Sequence, residues 1–131
     1  MSEAWVEVWN RGQAYPPHPD EGLGVGDRAL RDLSKAHNMV MNGGIGHCVE
    51  MLSREEMVSA EAGYRWFGLD EAADALALAG PWAEAGGEDE ALEGQIDTAL
   101  NAADNELLDR FKARFDDSPA DFASTQRGET G

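Results

Sequence analysis

Over most of its length this chain places apolar side chains three and four positions apart, the spacing that lines one face of an α-helix. Leu30, Leu33, His37, Val40 and Met41 share one such face, and Met57, Ala60, Tyr64 and Phe67 form the next. Leu92, Ile96, Ala99, Leu100 and Ala103 make a third. With 131 residues, 42% of them hydrophobic, the chain has material for one core. The expectation is an all-α fold, a single compact domain of five to seven helices. Its core should hold Leu30, Leu33, His37, Val40, Met57, Tyr64, Phe67, Leu76, Ile96, Leu100 and Phe111. Residues 1–117 read as an acidic helical domain and residues 118–131 as a short tail. In that tail "SPADFA" offers a serine cap and a first-position proline for one more turn, before "STQRGETG" frays into disorder.

The punctuation between stripes sets the expected boundaries. "EAWVEVWNRGQAY" alternates like a strand, but Trp5 and Trp9 four apart also fit a helix, the reading adopted here. "PPHPDEGLGVG", with three prolines and three glycines, is a loop. Ser53 followed by Glu56 is a capping box, in which hydroxyl and carboxylate each satisfy a free N–H of the first turn. Gly68 suits a left-handed C-terminal cap. Asp70 should cap "EAADALALA", which should stop at Gly80-Pro81. Beyond Glu88 the Leu92–Ala103 set and the set Leu108, Phe111 and Phe115 lie a quarter-turn or more apart. That offset predicts a break near 101–105, capped by Asp104 or Asn105, and a last helix ending about Asp116.

The stretch "HNMVMNGGIGHC", residues 37–48, puts two glycines inside a helical pattern between two histidines and the only cysteine. Counting through the glycines keeps Gly44, Cys48 and Leu52 on the face of Leu33, His37 and Met41. Two packing readings follow. Either the helix runs on and Gly44 admits a close neighbour, or Asn42-Gly43 ends it in a left-handed turn and a new short helix begins. A metal site is not expected, because His37 and His47 point to different faces and no second cysteine is present. Cys48 on the apolar face reads as a small buried hydrophobe, and His37 as a core residue hydrogen-bonded by the loop or a tyrosine. "GLGVG" lacks a preceding strand, so it is no dinucleotide fingerprint, and no cofactor is expected.

Charge narrows the function classes further. The chain carries 26 acidic and 10 basic residues, a formal charge of −16. Such a field repels nucleic acid and anionic membranes and attracts basic proteins. Direct nucleic-acid binding and membrane association are therefore not expected. "MSEAWVEVWNRG" has no basic n-region or apolar h-region, no stretch reaches the length of a membrane span, and Cys48 has no partner cysteine. These features lead to the expectation of a soluble cytoplasmic protein. Between Arg65 and Arg110 stand twelve acidic residues and no lysine or arginine. Of these, Asp70, Glu71, Asp74, Glu84, Glu88, Asp89, Glu90, Glu93 and Asp97 form the candidate partner-binding face, with Glu90, Glu93 and Asp97 on one side of a helix. General acidity serving solubility, and a first turn complementing the helix dipole at Asp70, Glu71 and Asp74, are the alternatives.

"AHNMVMNGGIGHCVEML" followed by "AEAGYRWFGLDEAADAL" resembles the Asn-Gly-Gly core of the DNA-mimic protein family, over about residues 27–80. Asn42, Gly43 and Gly44 match the family's signature triplet. His47 stands where many relatives carry glutamine, and Cys48-Val49 replaces their aromatic pair. The resemblance implies an all-helical acidic domain that binds a helix-turn-helix regulator by placing carboxylates where DNA phosphates would lie. The first functional expectation is thus a non-enzymatic protein whose partner is a basic DNA-binding protein. Carboxylates on one helix are too sparse for this, so acids must come from the loop at 84–90, from the helix after it and from a neighbour, or from a homodimer. The alternatives are an immunity-type module whose acidity steers a basic protein, and a small hydrolase centred on His37, His47 and Asn42.

Overall fold

The computed structural model describes residues 4–13 and 22–123. Five α-helices follow one another: α1 (Ala4–Gly12), α2 (Val25–Met51), α3 (Arg54–Trp66), α4 (Asp70–Glu84) and α5 (Glu90–Asp117), then a 3-10 turn at Pro119–Asp121. No strand occurs among the described residues, so the fold is all-α and forms one compact domain. The first half of the expected Pro-Gly loop and the expected disordered tail from Ser124 lie outside the described residues.

The short connections follow from local chemistry. Ser53 accepts the N–H of Glu56, and the Glu56 carboxylate accepts the N–H of Ser53, so α3 opens on the expected capping box two residues after α2 ends. Gly68 ends α3 at φ 78°, with the N–H of Leu69 donating to the Tyr64 carbonyl, a Schellman closure. Helices so connected run back along their neighbours. On α3, Gly63 sits so close to α2 that a Cβ there would come within 2.5 Å of the Ala29 carbonyl oxygen. That close approach lets α3 bury Ala60 and Tyr64 against α2.

Ten of the eleven expected core residues are buried, and Met57 is half-buried against the same core. Three boundaries differ from expectation. α4 starts at Asp70 with Leu69 as its cap residue, so Asp70 lies in the first turn and caps nothing. It also runs through Gly80 and Pro81 to Glu84, because burial of Trp82 outweighs the one backbone bond that proline removes near the C-terminal end. The expected break at 101–105 is absent, and α5 is one helix of 28 residues. The difference lies at a single residue: Leu107 is buried and Leu108 exposed, so the core face passes through 107 where the spacing predicts 108. Ile96, Leu100, Ala103, Leu107 and Phe111 then span only about 80° at 100° per residue, inside the width of one apolar stripe.

A buried ion pair closes the far end of the molecule. The Arg11 guanidinium donates to Asp27 at 2.6 Å, and Asp27 also accepts the N–H groups of Gly24 and Ala123. One carboxylate, 2% exposed, thereby joins α1, the start of α2 and the segment after α5. Phe122 is buried beside it, edge-on to Phe111 and Trp66, so residues 118–123 pack on the core.

Candidate functional site

The glycine pair breaks α2. Gly44 adopts φ 79° and ψ 178°, a conformation open essentially to glycine, and the chain re-enters a helix at once. This lies between the two readings of the sequence: a new helix does begin, but Gly44 is the break and its geometry is not the left-handed helical one. Close helix approach is the role of Gly63 instead. The break frees the N–H of Ile45, and the Asp97 carboxylate on α5 accepts it at 2.8 Å. A side chain from another helix caps the second half of α2. Redirected in this way, 45–51 carries Ile45 and Cys48 into the core and brings Gly46 against Trp82 of α4.

His37 lies one helical stretch earlier, buried, with both ring nitrogens engaged. Its Nε2 lies 2.8 Å from Asp104 Oδ1 and its Nδ1 2.8 Å from the Tyr64 hydroxyl, so the ring is held between α3 and α5. Burial pushes the Tyr64 hydroxyl well above its ordinary pKa, so it stays protonated. Asn42 and Gly43 are exposed on the outer side of α2, and His47 is half-buried beyond the break. His37, His47 and Asn42 are therefore not brought to one surface. Burial also raises the Cys48 thiol to about 11, which removes the thiolate a nucleophile needs near neutral pH. No group of three or more His, Cys, Asp or Glu among the described residues could hold a metal ion.

The nine acids of the candidate face divide by what they touch. Asp74 pairs with Arg65 at 2.7 Å, and that guanidinium also holds Glu61. Asp89 accepts the Leu92 N–H and caps α5. Asp97 is committed to Ile45. The remaining six, Asp70, Glu71, Glu84, Glu88, Glu90 and Glu93, have no ion pair among the described residues, and all but the half-buried Glu93 are exposed. Four of them gather at the tip of the α4–α5 hairpin. That tip is built rigidly: Gly86 and Gly87 take positive φ, and the N–H of Gly87 donates to the Trp82 carbonyl. The Trp82 indole N–H donates across the turn to the Asp89 carbonyl at 3.1 Å. Asp70 and Glu71 sit at the other end of α4, about 21 Å away at 1.5 Å per residue.

The family model for the DMP19-like protein matches residues 21–127. The chain belongs to the DMP19-like family. The match runs from the start of α2 past the 3-10 turn and so includes the glycine break, its Asp97 cap and every one of the six unpaired acids, while α1 lies outside it. No curated protein and no solved structure matches the chain. Sequence reading found the histidines, the glycines and the acidic interval of this DMP19-like protein. It missed Trp82 as the anchor of the tip, and it missed Asp27 and the pairing of His37 with Asp104, which depend on contacts distant in the chain. Among the described residues no helix is long and apolar enough to cross a membrane.

Proposed function

We propose that this protein is a non-enzymatic DNA mimic that occupies the DNA-binding surface of a basic protein such as a helix-turn-helix regulator. The observation that carries this reading is the set of six carboxylates with no ion pair among the described residues, two at the start of α4 and four at the tip of the α4–α5 hairpin. A duplex 21 Å long carries about twelve phosphates at one per 1.7 Å, and a protein docking on one side meets roughly half of them. Six carboxylates, two at one end of that length and four at the other, are of the same order in number. Membership of the DMP19-like family, a family of DNA mimics, supports the same reading.

The face reassigns three of the candidate acids. Asp74, Asp89 and Asp97 act within the fold, so the partner's lysines and arginines meet Asp70, Glu71, Glu84, Glu88, Glu90 and Glu93. Charge-driven association is fast and weakens as salt rises. The test takes a basic DNA-binding protein captured from the native cell and measures whether this protein displaces its DNA. Changing Glu84, Glu88, Glu90 and Glu93 together to glutamine should abolish displacement while leaving the helical spectrum intact. Undiminished displacement by that variant would refute the assignment.

A further inference from the structure

A groove of about 510 Å3 lies between α3, α4 and the second half of α2. Its walls are mostly aliphatic, formed by Val49, Met57, Val58, Leu76 and Ala77, with Arg54 and Glu61 beside them, and Val58 is 59% exposed. Gly80 and Pro81 complete the α4 side. Both weaken a helix interior, and no internal packing requires the glycine, since a Cβ at Gly80 would meet nothing within 4 Å. Gly63, by contrast, is pressed against α2. The small residues on α4 therefore keep open a surface that no described element of this chain fills. Glu84 lines the same groove and is also the first carboxylate of the acidic tip. Glu84 thus joins the apolar concavity to the acidic tip.

A DNA duplex offers no aliphatic groove of this kind, so imitation of phosphates leaves it unused. We propose that the groove receives the aliphatic side of a basic amphipathic helix from the partner protein, while that helix's lysines and arginines reach Glu84 and the tip acids. Charge complementarity selects this occupant: among the described residues Glu84 and the tip acids Glu88, Glu90 and Glu93 have no ion pair and outnumber Arg54, the one cation lining the groove, so an aliphatic helix flanked by cations satisfies both parts of the surface. This inference rests on the proposed function and adds a contribution to it that salt does not screen.

Two synthetic helical peptides of equal lysine content test the inference, one with leucine at i, i+3, i+4 and i+7 and one with alanine there. At about 1 M salt, where charges are screened within about 3 Å, the leucine peptide should still bind and the alanine peptide should not. Gly80→Leu fills the groove and removes a helix-weakening glycine. It should bind the leucine peptide roughly tenfold more weakly at high salt while melting no earlier than the wild type. Val58→Asn, at an exposed position, should give a loss in the same direction and covers the case in which Gly80→Leu folds poorly. Equal binding of the two peptides at high salt, or wild-type binding by both groove variants, would overturn the inference. The variant with glutamine at Glu84, Glu88, Glu90 and Glu93 should lose only the salt-sensitive part of peptide binding. Its failure to lose DNA displacement would count against the DNA-mimic reading and leave the groove result standing.

Discussion

Asp97 does for the second half of α2 what a serine or aspartate does at an ordinary helix start, but from a different helix. Asp97→Ala should therefore cost about 1 kcal/mol in urea unfolding, the usual loss for a removed cap. Gly44→Ala should cost about 1–3 kcal/mol, because φ 79° with ψ 178° strains any side chain. The two sites touch, so the double variant should lose less than the sum. Cys48, its thiol raised to about 11 by burial, should resist thiol reagents at pH 8 in the native protein and react at once in denaturant. Glu56 is held below its ordinary value of 4.5 chiefly by the Ser53 N–H. A lowered folded-state pKa means that the stabilisation is present above the unfolded value and is lost as pH falls through the folded one. The stability gap between wild type and Glu56→Gln should accordingly be full at pH 7 and close in acid.

α5 shows how one residue decides an element. Leu107 and Leu108 are equally hydrophobic neighbours, and assigning Leu108 to the core face is what predicted a break. Leu107→Ala should cost about 2–4 kcal/mol, while Leu108→Ala, at a site 37% exposed, should cost well under 1 kcal/mol. A reversal of that order in denaturant titrations would restore the broken helix. α4 carries the converse lesson. Gly80-Pro81 is a strong local stop, yet the helix continues for another turn because Trp82 gains burial and a hydrogen bond to the Asp89 carbonyl. Local propensity is worth at most a few kcal/mol, and a buried tryptophan competes on that scale.

A charge of −16, with no lysine or arginine between Arg65 and Arg110, makes the whole molecule repel itself. Raising salt from low to physiological ionic strength should increase the melting temperature by about 5 °C, roughly 1 kcal/mol of screened repulsion. A melting point that does not move with salt would show the unpaired acids to be too far apart to interact. The helical class, most of the core and the acidic interval were legible in the residues, because periodicity, capping chemistry and charge are local properties that a single strip of sequence displays. Which acids remain free was not. Asp97 and Asp74 look in the sequence like their neighbours Glu93 and Glu71, and only packing α5 on α2 and α4 on α3 commits the first pair and leaves the second unpaired. The same holds for Asp27, for His37 between Tyr64 and Asp104, and for Leu107 over Leu108. A hydrogen bond or a burial between residues far apart in the chain depends on where two helices cross, and that crossing is set by the packing of the whole core.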